Sequence, residues 1–297
     1  MAQVSSIAII GPGKVGTALG VLAARAGMEI AAVGGGHRGD AQSAARLMGP
    51  SVRSVSAAEA AASAPLVLLT VPDDAIALVA EQLAQQGAFQ DGAVVAHCSG
   101  ALDSDILSAA RQAGCEVGSM HPLQTFPTVE AALAKLPGTP FFIEGTPAAC
   151  ERLDAFAAAI GGQPHRLRSD AKALYHAAAA MTSNFLVSLL DAASAVMALA
   201  LTESANANRE QALAALEPLL RATVDNVLAL GPEAALTGPI ARGDTHTVAR
   251  HWHALAQFGP EFRDTYRALA KLTIELALRK GTLAEDIARE IKETLRH

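Results

Sequence analysis

The stretch SSIAIIGPGKVGTALGVLAARAG, residues 5–27, decides how the rest of the chain is read. A short apolar run ends in glycines and passes at once into a segment of helical spacing, the order strand, turn, helix. Gly11, Gly13 and Gly16 stand in the spacing G-x-G-x-x-G. In that setting the first glycine permits a tight turn, the second lets a pyrophosphate approach the backbone, and the third lets the helix pack on the strand. Gly11, Pro12, Gly13, Lys14, Val15 and Gly16 are therefore the expected dinucleotide cradle, the alternative being a glycine turn that holds no ligand.

The next strand, MEIAAV (28–33), would end in an acidic residue roughly 20 positions past the motif if a free ribose hydroxyl were to be bound there. The chain continues instead as VGGGHRGD (33–40). Small residues leave room for a 2′-phosphate, and Arg38, with His37 beside it, supplies positive charge. This favours NADP(H), against Arg38 as a solvated loop residue and a turn that accepts either cofactor.

Further along, PLVLLTVPD (65–73), GAVVAHCSG (92–100), CEVGSMHP (115–122), TPFFIEG (139–145) and QPHRLR (163–168) alternate with helical segments. The expected fold is α/β: a doubly wound, Rossmann-like parallel sheet, followed by an all-α C-terminal domain. The expected domains are residues 1–168 and 169–297, in keeping with a 297-residue chain too long for one core. Ligands of such sheets bind beyond the carboxyl ends of the strands. Val71 and Pro72 are expected to line the cofactor, although a strand terminator also explains Pro72. Ser99 and Gly100 bring a hydroxyl and backbone amides to the same rim, and His121 and Gln124 offer donors to an anionic substrate. His97, inside an apolar strand, reads as a satisfied core histidine.

Composition narrows the classes of function. A net charge of −6 without a basic block argues against nucleic acid. Cys98, Cys115 and Cys150 lack C-x-x-C spacing, so neither a disulfide framework nor a metal site is expected. The N-terminus lacks the charged region and cleavage site of a secretory signal, and a cytoplasmic protein is expected. Ala177 to Leu201 is nearly long and apolar enough to span a membrane, but its Asn184 and Asp191 favour a buried interdomain or dimer helix.

That region begins SDAKALYHAAAAMTSNFL (169–186), an alanine-rich helical segment carrying Lys172, His176 and Asn184. On one continuous helix Lys172 and His176 lie one turn apart and Asn184 shares the same wide face, with Ser183 between. Lysine or histidine can neutralise the alkoxide formed in carbonyl reduction, and an amide can orient a carboxylate. Lys172, His176, Asn184, Ser99 and His121 are the candidate catalytic residues; Ser99, Gly100, Gln124, Ser183 and Arg242 are the candidate substrate contacts. In LTGPIARGDTHTV (236–248), Asp244 either caps the following helix or forms a carboxylate clamp with Arg242.

The set GPGKVG, TVPDDAI, HCSGA, MHPLQTF, DAKALYHAAAAMTSNF and TGPIARGD resembles, over essentially the whole chain, a bacterial oxidoreductase family that joins a Rossmann-like domain to a helical domain of unknown function. The wider superfamily it resembles includes ketopantoate reductase, pyrroline-5-carboxylate reductase, prephenate dehydrogenase and 6-phosphogluconate dehydrogenase. In ketopantoate reductases the first long helix of the second domain carries a lysine followed by amides at successive turns. Lys172 matches the lysine, His176 stands in the first amide's place, and Asn184 follows one turn beyond Ala180. HPLQTF is similar to the His-Pro turn of prephenate dehydrogenases.

The resemblance implies an active site between the domains and an NADP(H)-dependent reductase of a small anionic 2-oxo acid, ketopantoate first. The alternatives are an imine reductase or a prephenate dehydrogenase-like enzyme, and a non-catalytic NADP(H)-binding sensor or scaffold. The long alanine-rich helix needs cover on several faces, so a homodimer through the helical domain is expected.

Overall fold

The computed structural model describes residues 6–35, 38–201 and 208–296. The chain divides into two compact units, Met1–Ser183 and Asn184–His297. His37 and the side chain of Arg38 lie outside the described structure.

The first unit is built on one eight-stranded sheet: β1 (Ser6–Ile10), β2 (Glu29–Gly34), β3 (Arg53–Val55), β4 (Leu66–Leu69), β5 (Val94–His97), β6 (Glu116–Pro122), β7 (Pro140–Gly145) and β8 (Gln163–Arg166). Their spatial order is β3-β2-β1-β4-β5-β6-β7-β8. The strands read as continuous apolar runs because both faces of the sheet are covered. Ile7 and Ile9 of β1, with Leu66 and Leu68 of β4, enter one core, while Ala8, Ile10, Val67 and Leu69 enter the other. Helices Lys14–Arg25 and Pro147–Ala159 pack in the first core, and helices Ala57–Ala62 and Ile76–Gln85 in the second.

The expected parallel sheet extends through β6, and β7 then runs antiparallel to β6. The cause lies in the connection. The Leu123 amide donates to the Pro140 carbonyl at 2.9 Å, so β7 starts beside the end of β6 and must run back along it. β8 then pairs parallel to β7. β3, only three residues long and partly exposed, was not among the expected strands.

The helical run beginning near Ser169 does not form one continuous helix. It consists of Lys172–Thr182 and Asn184–Leu201, interrupted at Ser183 within Thr-Ser-Asn, residue types that compete with the helical backbone for its hydrogen bonds. The first of these helices groups with the sheet, because Lys172 is buried and Tyr175 packs on Phe142 of β7.

The second unit comprises helices Asn184–Leu201, Arg209–Leu230, Pro232–Ala235, Thr245–Ala254, Pro260–Lys280 and Glu285–Thr294. Its core gathers Val248, Trp252, Ile274, Ala277 and Ile291. Helices Asn184–Leu201 and Arg209–Leu230 pack on each other but leave Phe185, Val187, Leu219 and Leu228 exposed. The segment Ser169–Leu201 is long and apolar enough, by length and composition, to cross a membrane, and 11% of its apolar window is buried.

Candidate active site at the strand ends

At the glycine turn, Gly11 has φ +98°, a left-handed conformation that side chains resist. A Cβ there would meet the Val71 amide nitrogen at 2.8 Å, which places Val71 directly against the turn. Gly13 has no neighbour within 4 Å of a would-be Cβ, so its outer side is open to a ligand. A Cβ on Gly16 would lie 2.6 Å from the Gly11 carbonyl oxygen and would strike the Thr70 hydroxyl, which itself donates to the same carbonyl. Helix Lys14–Arg25 starts at Gly13 without a side-chain cap, leaving its first amides free of any capping side chain. The turn thus fits a pyrophosphate. Beyond β2, a Cβ on Gly34 would lie 2.8 Å from the Ser56 carbonyl oxygen, and Gly35 has φ +82°; neither position provides a carboxylate.

The ends of β4 and β5 are tied together. The Ser99 hydroxyl donates to Asp73 Oδ2 at 2.7 Å and accepts from the amides of Ala101 and Leu102, each at 3.1 Å. Ser99 is 6% exposed, so this hydroxyl shapes the rim. Pro72 is exposed and precedes the short 3₁₀ turn Asp73–Ala75. His97 is fully buried: its Nδ1 accepts from the Ser99 amide at 3.2 Å, and its Nε2 donates to the Asp103 carbonyl at 3.0 Å. An amide can only donate and a carbonyl can only accept, which sets the tautomer and keeps the ring neutral.

Beneath the rim lies a buried polar group. Lys172, 2% exposed, donates to the Ser119 hydroxyl of β6, and Ser119 Oγ lies 3.4 Å from the Ser99 carbonyl. Glu144 of β7, also 2% exposed, accepts from the hydroxyls of Ser104 at 2.9 Å and Ser169 at 2.7 Å through Oε2, while Oε1 has no partner among the described residues. Burial lowers the Lys172 pKa, and the Glu144 carboxylate is the chief opposing influence. Burial likewise pushes the Cys98 thiol up to about 12, which removes it as a nucleophile.

Above this group two imidazoles meet over Gly100. A Cβ on Gly100 would lie 2.9 Å from His121 Nε2 and 2.9 Å from His176 Cδ2. His121 is half-buried, with Nδ1 2.6 Å from the Tyr175 hydroxyl, and His176 is exposed. Burial first, then Lys172 and His176, push His121 down to about 4.

His97 is likewise held down to about 4 from 6.5, chiefly by burial. Between these values the unfolded chain binds a proton that the folded chain excludes. Stability is therefore highest above pH 6.5 and falls as pH drops toward 4, by about 3 kcal/mol from this group. Denaturant titrations across that range are expected to show the slope, and His97→Gln to reduce it, His121 contributing the remainder.

Of the residues expected from sequence, Gly100, His121 and His176 converge at the rim, with Lys172 and Ser99 beneath it. Gln124 is exposed, and its Oε1 accepts from the Thr125 amide at 2.9 Å. Ser183 sits at the helix break. Asn184 and Arg242 belong to the second unit, where Asn184 is exposed at the start of its helix and Arg242 is exposed on its loop. Asp244 takes the capping role: its Oδ1 accepts from the Thr247 amide at 2.9 Å, and among the described residues it forms no ion pair with Arg242. Asp73, Ser119, Glu144 and Tyr175 were not foreseen. A carboxylate within the apolar strand FFIEG, and a tyrosine directly before His176, were the available signals.

Comparison with known proteins bears on the fold. Residues 2–122 match the model of a Rossmann-like domain, and residues 139–273 match that of a domain of unknown function, DUF2520. The second match begins just before β7, where the parallel sheet ends. Among curated proteins none matches by sequence.

Several solved structures share the fold. A Thermotoga maritima protein is 24% identical with a TM-score of 0.71, covering 92% of this chain and 99% of its own. A Bacteroides fragilis protein named as a candidate NADP oxidoreductase is 23% identical with a TM-score of 0.68, covering 91% and 98%. A pyrroline-5-carboxylate reductase from Coxiella burnetii is 13% identical with a TM-score of 0.58, covering 98% and 99%.

Proposed function

We propose that the protein is an NADP(H)-dependent reductase of a small anionic 2-oxo acid, acting at the carboxyl ends of β1, β4, β5 and β6. The observation that carries this reading is the presence, on neighbouring strand ends of one sheet, of an open glycine turn and of His121 and His176 meeting over Gly100. The name of the similar Bacteroides fragilis protein is in keeping with an NADP-dependent oxidoreductase, and that of the Coxiella burnetii protein with the competing imine substrate. The lack of a carboxylate after β2, together with Arg38 in the sequence, supports NADP(H) over NAD(H).

The turn Gly11–Gly16 would hold the pyrophosphate, and Val71 and Pro72 would border the nicotinamide ribose. A bound nicotinamide dinucleotide supplies the hydride. His176, exposed at the rim, gives its proton to the substrate oxygen as negative charge develops there. Lys172 is buried and committed to Ser119, so its part is to set the field beneath the rim. Gly100 lets the substrate approach the backbone where any side chain would fill the space.

The test is NADPH oxidation with ketopantoate and a panel of 2-oxo acids, with pyrroline-5-carboxylate as the competing imine. Turnover of a 2-oxo acid is expected, with His176→Gln lowering kcat about a hundredfold and leaving NADPH affinity unchanged. Imine turnover alone would move the reading to imine reduction. NADPH binding without any turnover would leave a nucleotide-binding sensor or scaffold.

The exposed Phe185, Val187, Leu219 and Leu228 support a homodimer through the helical unit of a cytoplasmic protein. Light scattering in detergent-free buffer is expected to give twice the 30.4 kDa chain mass. Recovery only in detergent would assign this surface to a membrane instead.

A further inference from the structure

Tyr175 is absorbed neither by the cradle nor by the proton donor. Its ring packs on Phe142 with centroids 4.7 Å apart, and Phe142 in turn stacks on His165 of β8 at 5.4 Å. It also meets His121 edge-on, at 5.7 Å and 80°. Aromatic neighbours on β6 and β7, the latter backed by β8, thus fix where its hydroxyl points. That hydroxyl lies 2.6 Å from His121 Nδ1.

Among the described residues His121 Nδ1 is the hydrogen-bond partner of the Tyr175 hydroxyl, so the phenol O–H is satisfied there by donating and Nδ1 accepts. Burial raises the Tyr175 pKa, so the phenol keeps the proton it donates. With Nδ1 occupied as an acceptor, the imidazole hydrogen must sit on Nε2.

Nε2 lies on the edge of the ring that faces Gly100 and has no partner among the described residues. We infer that Tyr175 is a positioning residue that locks His121 in the Nε2–H tautomer, so that His121 presents a fixed N–H donor to a carbonyl or carboxylate oxygen bound at Gly100. This inference rests on the reading of the strand ends as the active site. It divides the labour of the two imidazoles: His121 stabilises the oxygen by donating a hydrogen bond it never releases, and His176 transfers the proton. The charged and titratable groups around His121 come from three elements: Lys172, His176 and the Tyr175 hydroxyl on one helix, Asp73 in the turn after β4, and His97 on β5. Burial, and after it Lys172 and His176, outweigh Asp73, so the ring stays neutral down to mildly acidic pH.

The decisive experiment needs neither cofactor nor substrate. Histidine-labelled protein is studied by long-range nitrogen–proton NMR, with the His121 signal assigned through His121→Gln. The wild type is expected to show the Nε2–H tautomer alone at neutral pH. Tyr175→Phe, which keeps the ring on Phe142, is expected to show a mixture of tautomers and to lower kcat about tenfold, with NADPH affinity unchanged. An Nδ1–H tautomer in the wild type overturns the proposal, as does an unchanged Nε2–H tautomer in Tyr175→Phe. Because the tautomer is read in the free protein, a failure of the reductase reading would show separately, as the expected tautomer shift without turnover of any 2-oxo acid.

Discussion

Gly13→Asp is expected to abolish dinucleotide binding while leaving the fold intact or slightly more stable. Gly13 has φ −76° and ψ −170°, a conformation open to any residue, and a side chain there meets nothing within 4 Å. Helix Lys14–Arg25 lacks a side-chain cap, and aspartate at that position is better than glycine by roughly a few tenths of a kcal/mol. The same carboxylate would stand where the pyrophosphate has to come. A loss of at least about a hundredfold in NADPH affinity, roughly 3 kcal/mol, is expected by fluorescence titration, together with an unchanged or raised melting temperature. Gly11→Asp makes the contrast: with φ +98° and the Val71 amide nitrogen 2.8 Å from the new Cβ, it is expected to lower stability as well. If Gly13→Asp binds NADPH like the wild type, the glycine turn is not the cradle.

Lys172→Met carries the largest expected cost in stability. The Lys172 side chain is 2% exposed and bonded to Ser119, and its charge acts across space on the buried Glu144 carboxylate, whose Oε1 has no partner among the described residues. Removing it leaves a buried anion uncompensated, at a cost of roughly 3 kcal/mol. Adding Glu144→Gln is expected to restore much of that loss, which a double-mutant cycle in denaturant would measure. Strict additivity of the two substitutions would show that the charges act independently. Lys172 also helps keep His121 and His97 unprotonated. The single variant is therefore expected to move the protonation of both histidines to higher pH.

The covering of the sheet on both faces was legible in the sequence because such strands read as unbroken apolar runs such as LVLL and VVA. The three glycines were equally legible, since each requirement is local: a positive φ, an open side, a close helix. What escaped the sequence depended on contacts between distant residues. The reversal of β7 follows from one bond between Leu123 and Pro140, and β3 is too short and polar to show a period. The break at Ser183 removed Asn184 from the helix that carries Lys172 and His176, so spacing on a single helical wheel overstated their kinship. Lys172 and His176, one turn apart as expected, still differ in fate. One is buried against Ser119 and the other is exposed beside Gly100, a distinction set by how the helix lies on the strand ends and not by its periodicity.

The most direct test of the central claim is an equilibrium titration of the intact protein with NADPH and, separately, NADH. The account predicts saturable binding of NADPH, weaker binding of NADH, and loss of that preference in Arg38→Ala. Binding of neither nucleotide would contradict it, because the proposed reduction and the roles given to His121 and His176 all begin with a nicotinamide held at the glycine turn.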